Sequence, residues 1–181
     1  MKHIAVWNQL LDNGMEYCSL ELESSIEITG KVIRVHEGER YFVEYTVNCD
    51  QTGSTEEVHL YYRNESMSNT VIISRDGNGC WTRDGQVMEG VSDAKDIDIG
   101  ITPSTNILPI RRLQLAVGES AEVITAWVRF PEFDVQPLKQ EYTRINHATY
   151  RYRSIESGYT AILKVDERGI VEDYEDEWIR L

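Results

Sequence analysis

The sequence is short of the features that usually betray an activity. It holds three cysteines, Cys18, Cys49 and Cys80, odd in number, widely spaced and in no CxxC pair, which argues against a disulfide framework or a zinc knuckle and fits a reducing compartment. Positive charge is scarce: 18 Lys and Arg stand against 31 Asp and Glu, a formal net charge of -13 that repels nucleic acid and anionic membrane faces. No stretch approaches the roughly 18 consecutive apolar residues of a membrane helix, and the opening MKHIAVWNQLLDNG has no apolar core of signal length. A cytoplasmic chain without integral membrane association is expected. The Asn64-Glu65-Ser66 sequon is then a chance match.

Catalytic and metal signatures are absent too. His3, His36, His59 and His147 are scattered without ligand spacing such as HExxH, so neither a metal site nor a cofactor is expected. Ser92, Ser104 and Ser120 lack a GxSxG elbow, and Asp93, Asp96 and Asp98 lack the loop glycine and terminal glutamate of an EF-hand. Repeats, low-complexity tracts and long Pro/Gly/Ser linkers are missing as well.

What is present is period-2 alternation. Tyr41, Val43, Tyr45 and Val47 alternate with Phe42, Glu44, Thr46 and Asn48, and 123–130 reads the same way. Similar runs at 26–35, 56–63, 70–75, 140–146, 149–153, 159–165 and 169–174 are separated by Asp- and Gly-rich turn clusters. Asp84-Gly85 is the strongest hairpin signal, because that pair suits the positive φ angles of a type I′ turn. At 181 residues and 41% hydrophobic, the chain is expected to be one domain, 1–181, built on a large antiparallel sheet. The acid-rich run from Asp166 to the end reads as a solvated face or edge.

Residues 96–113, DIDIGITPSTNILPIRRL, break the pattern. Thr102 can cap a helix, Pro103 suits its first turn, and Ile107, Ile110 and Leu113 recur at helical spacing; Pro109 predicts a break near 106–109. Adjacent helical side chains diverge by about 100°, so Arg111 and Arg112 point different ways, one inward and one outward. Asp96 and Asp98 share a face of the preceding strand and are candidates for a structural ion pair with the inward arginine. A head-group clamp or a catalytic site around Asp96, Asp98 and Arg112 are the competing readings.

The stretch GCWTRDGQ through GVSDAKDIDIGITPSTNILPIRRLQLAVGESAEV resembles the signature region of the Putative glycolipid-binding family, and VQPLKQEYTRI, YRY and VDERGIVEDY follow in the same order. Similarity to that family implies a spiral β-roll, a many-stranded antiparallel sheet wrapped around one helix, a homodimer, and non-catalytic binding of a glycolipid or other amphiphile. The segment YTRINHATYRYR at 142–153 adds Arg144, Arg151 and Arg153 interleaved with tyrosines and no acid. Aromatic faces with guanidinium donors suit sugars, so Trp81, Tyr142, Arg144 and Tyr152 join Arg111 and Arg112 as candidate ligand-binding residues. A protein-interaction module using a sheet edge, or an enzyme, are the alternatives. An enclosed apolar cavity, an open cleft of converging carboxylates, or a filled core would separate the three.

Overall fold

A computed structural model describes every residue except Ser24. The described residues are mainly β, with fifteen strands and one short α-helix, consistent with a β-roll. Its contacts divide into two compact units, residues 1–89 with 176–181, and residues 90–175.

The first unit is an antiparallel meander: β1 (Lys2–Gln9), β2 (Asn13–Glu21), β3 (Glu27–His36), β4 (Glu39–Cys49), β5 (Thr55–Arg63), β6 (Ser68–Arg75), β7 (Trp81–Arg83) and β8 (Gln86–Val87), each paired with the next. The last strand, β15 (Trp178–Arg180), pairs with β1. Alternation sends Tyr41, Val43, Tyr45 and Val47 of β4 to the covered face, with Val58, Leu60 and Tyr62 of β5 beside them. Asp84 and Gly85 both have positive φ, 50° and 79°, as the β7–β8 hairpin requires. Strands β1, β2 and β15 have no counterpart among the runs read from the sequence. In β2 hydropathy points the wrong way. Met15 and Tyr17 are 48% and 54% exposed, while Glu16 and Cys18 are fully buried.

Glycine explains part of that inversion. Cys18, Gly30, Tyr45 and Leu60 stand side by side across four strands. The missing side chain at Gly30 lets the Tyr45 ring lie across β3, where a Cβ would come within 2.2 Å of it. The Tyr45 hydroxyl thereby reaches β2 and donates to the Glu16 carboxylate. Burying an acid without such a partner is costly; with it, Glu16 can occupy an inward position.

The second unit contains β9 (Asp96–Ile99), a 3-10 turn (Ser104–Asn106), α1 (Ile107–Leu113), β10 (Ser120–Val128), β11 (Val135–Asn146), β12 (Thr149–Ser154), β13 (Thr160–Val165) and β14 (Val171–Tyr174). Strands β10 to β14 are antiparallel neighbours, in line with the expected predominantly antiparallel sheet, and β9 pairs with β10 in parallel. The physical reason is the crossover through α1: a helix between two paired strands returns the chain in its original direction. Pro109 is the third residue of α1, where its missing N–H would have no intrahelical acceptor anyway, and the expected break is the change from 3-10 to α winding at Asn106. Ile110 of α1 packs with Leu115, Val123, Tyr142, Tyr150, Tyr152, Leu163, Val165 and Val171 to form this unit's core.

Three turns share one chemistry. In each of Asp50–Ser54, Asp76–Cys80 and Asp166–Ile170 the aspartate carboxylate accepts the backbone N–H groups two and four residues later, and a glycine at positive φ occupies the fourth place. Gly30→Ala is expected to destabilise the protein by about 1 to 3 kcal/mol through overpacking against Tyr45. Urea denaturation checks this, and an unchanged midpoint would show that the ring can move aside.

Candidate functional site

The stretch that breaks the alternation also organises the most polar interior in the second unit. Thr102 accepts the Ser104 N–H at 2.9 Å through its hydroxyl, starting the 3-10 turn, and Thr105 Oγ1 accepts the Ile99 N–H at 3.2 Å, holding the turn to β9. These local bonds fix where α1 begins, and hence where its last turn points.

Arg112 points back at β9. Its Nε and Nη2 donate to the two carboxylate oxygens of Asp96 at 3.0 and 2.5 Å, with Asp96 fully buried and the Arg112 side chain 17% exposed. This fork-to-fork geometry is the strongest form of the pairing. The neighbouring carboxylate raises the Arg112 pKa, a hydrogen bond from Arg112 to Asp96 being the largest cause. Asp98 does not join. Of the two candidates for the pair, Asp96 is the one that Arg112 meets; Gln140 donates to Asp98 at 2.5 Å and Thr105 also hydrogen-bonds it. Burial, the largest influence, lifts the Asp98 pKa to about 6 against the lowering effect of those two hydrogen bonds. The same network continues through Tyr142, which donates to Asn106 at 2.9 Å and sits near Gln140 Oε1 at 3.4 Å. Burial likewise pushes the Tyr142 hydroxyl well above its usual pKa.

Arg111, one residue back, turns the other way and donates to the Arg168 carbonyl at 3.0 Å. It lines a solvent-open cleft of about 520 Å³ together with Ile110, Gln114, Arg144, His147, Tyr150, Val165 and the turn 166–169. Gly169, at φ 88°, lets that turn close on the helix: a Cβ there would lie 3.3 Å from Ile110. Arg144 is held by three carbonyls, those of Leu115 (2.8 Å), His147 (2.9 Å) and Asn146 (3.3 Å), and its guanidinium carbon lies 5.6 Å from the centre of the Tyr150 ring. The structure therefore brings Arg111 and Arg144 together at one cleft. A second open cleft of about 400 Å³ lies on the other side of the helix end, lined by Asp93, Lys95, Arg112, Leu113, Glu122, Val123, Ile124 and Lys139.

The aromatic candidates lie elsewhere. Trp81 is 1% exposed on β7 of the first unit, and Tyr142 and Tyr152 are 1% and 6% exposed in the core of the second. The expectation that these rings face a ligand does not match their burial. They occupy inward positions of the alternation, and the Tyr142 and Tyr152 rings pack edge to face at 5.5 Å. Sequence reasoning missed the cleft residues Ile110, His147, Tyr150, Val165 and Arg168. The basic segment 142–153 was the available signal for two of them, whereas Arg168 lay hidden in a run read as a solvated acidic face. In the first unit it also missed Asp12, which accepts from Arg34 at 2.7 Å and approaches His36 Nδ1 at 2.9 Å. Among the described residues no group of three or more His, Cys, Asp or Glu could hold a metal ion.

Comparison with known proteins follows the same outline. The model of the family described as Putative glycolipid-binding matches residues 4–180. A crystal structure of a DUF1089 family protein from Pseudomonas aeruginosa is similar at 31% identity over 92% of each chain, with a TM-score of 0.84. No curated protein matches.

Two outcomes follow from the buried polar interior. Arg112→Met strands the Asp96 charge and is expected to cost about 3 to 5 kcal/mol in chemical denaturation, most of which the double variant with Asp96→Leu should restore. Asp98 holds its proton more tightly folded, at a pKa of about 6, than at the ordinary value of 3.8. Its contribution to stability is therefore largest below 3.8 and is lost as pH rises through 6. Asp12, Asp50 and Glu65 are shifted downward and act in the opposite sense, so the readout is the difference between the wild type and Asp98→Asn. The variant should gain on the wild type as pH rises from 4 to 7; parallel stability curves would exclude a titrating Asp98.

Proposed function

The chain belongs to the Putative glycolipid-binding family, and from that premise we propose that it is a non-catalytic binding protein for an amphipathic, glycolipid-like molecule whose polar end enters the cleft of Arg111 and Arg144. The observation that carries this reading is the composition of that cleft. Ile110, Tyr150 and Val165 offer an apolar floor, and two guanidinium groups held by backbone carbonyls stand over it. Its volume of about 520 Å³ suits a small polar head, since ligand sites commonly span about 300 to 1,000 Å³. Arg donors already anchored to the backbone lose little freedom on binding, which favours affinity.

Within this proposal Asp96 and Arg112 act as a brace that sets the helix, and Trp81, Tyr142 and Tyr152 act as core. The chain works as one domain, since a single family model spans both compact units, and as a homodimer in the cytoplasm. No helix among the described residues is long and apolar enough to cross a membrane.

Native mass spectrometry of freshly purified protein, followed by calorimetric titration with short-chain glycolipids, fatty acids and detergents below their micelle concentrations, tests the reading. A co-purifying lipid-sized mass or saturable 1:1 binding is expected. No saturable binding by any amphiphile would leave the interaction-module alternative. Asp96→Asn or Arg112→Lys proteins that lose binding while keeping the wild-type melting temperature would move those residues from brace to ligand clamp.

A further inference from the structure

We propose that the group received by this cleft is an oxyanion, a phosphate or carboxylate on the head of the amphiphile, rather than a neutral sugar. The inference rests on the functional reading above and narrows its ligand class. In a protein with a formal net charge of -13, this cleft gathers three guanidinium groups, Arg111, Arg144 and Arg168, against two carboxylates, Asp166 and Glu167. Both carboxylates already have work in the structure. Asp166 holds its turn by accepting the N–H groups of Arg168 and Ile170 at 2.9 and 3.0 Å, and Glu167 pairs with Arg168 at 2.8 Å.

Among the described residues the hydrogen bonds of the Arg144 side chain go only to the carbonyls of Leu115, Asn146 and His147, and no carboxylate lies within ion-pair distance of it. Carbonyl dipoles orient a guanidinium but do not cancel its charge. Of its five N–H donors three are engaged in this way, which leaves one on each terminal nitrogen. Tyr150 covers one face of the group at 5.6 Å, so its plane is fixed. A planar, half-buried cation with two spare donors, lining the same cleft as the apolar Ile110 and Val165, suits the charged oxygens of a phosphate or carboxylate better than isolated hydroxyls. The repulsion from the rest of the acidic surface is largely screened beyond about 8 Å at physiological salt, so the local balance decides binding.

The test compares heads on a common chain. Dodecyl phosphate and dodecyl maltoside are titrated below their micelle concentrations into wild type, Arg144→Gln and Arg168→Gln, with inorganic phosphate and maltose as chainless controls. Dodecyl phosphate is expected to bind the wild type about tenfold or more tighter than dodecyl maltoside, a preference lost in Arg144→Gln and reduced in Arg168→Gln. The Arg168 side chain is 42% exposed, so its variant stays informative even if removing Arg144 impairs folding. Equal or tighter binding of the maltoside would overturn the oxyanion inference and leave the amphiphile reading standing. Inorganic phosphate binding as tightly as dodecyl phosphate would support the oxyanion site and sink the amphiphile reading. Absence of binding by all four compounds would remove both.

Discussion

The fork between Arg112 and Asp96 fixes the rotation of α1, and the chemistry around the helix follows from that. Two hydrogen bonds to a fully buried carboxylate set the face that Arg112 presents. Because consecutive helical residues diverge by about 100°, Arg111 is then directed to the opposite side, onto the Arg168 carbonyl and into the cleft. A buried pair of this kind is a poor source of net stability compared with apolar residues of the same shape. Its physical value here is positional: it joins the strand before the crossover to the end of the helix that makes the crossover.

Around the brace the second unit hides more polar groups than its small core would suggest. Asp98, Gln140, Tyr142, Asn106 and Thr105 form a connected set in which Gln140 and Tyr142 direct their hydrogens to Asp98 and Asn106. Buried hydrogen bonds are worth little net, but leaving one of these groups unpaired is expensive. The set therefore punishes alternative placements of the 3-10 turn more than it rewards the native one. Glu16 and Tyr45 play the same part in the first unit, where the bare backbone at Gly30 makes the reach across a strand possible.

The two clefts flanking the helix end differ in the state of their cations. Around Arg112 two of the cations have carboxylate partners, Asp96 for Arg112 and Glu122 for Lys139 at 2.7 Å. Around Arg144 carbonyls do the positioning and leave the charge uncancelled. The first arrangement holds structure together, and the second is suited to receive a group from outside.

Much of this was legible in the chain because alternation and turn chemistry are local. The strands of β4 and β5, the Asp84-Gly85 hairpin, the Asp-x-x-Gly turns and the divergence of Arg111 from Arg112 follow from neighbouring residues alone. The placement of Asp96 and Asp98 on one face followed likewise, but which of them meets the arginine depends on Gln140, 42 residues beyond Asp98. The inward position of Glu16 depends on Tyr45 and Gly30, and it runs against the local hydropathy, which favours burial of Met15 and Tyr17. The burial of Trp81, Tyr142 and Tyr152 and the meeting of Arg111 with Arg144 likewise depend on strand order. The sequence by itself determined the period, the turns and the helix, since these arise from backbone preferences over a few residues. Only the tertiary structure decided which polar groups are paired and that Arg144 is held by carbonyls alone, because pairing is a property of residues brought together from distant strands.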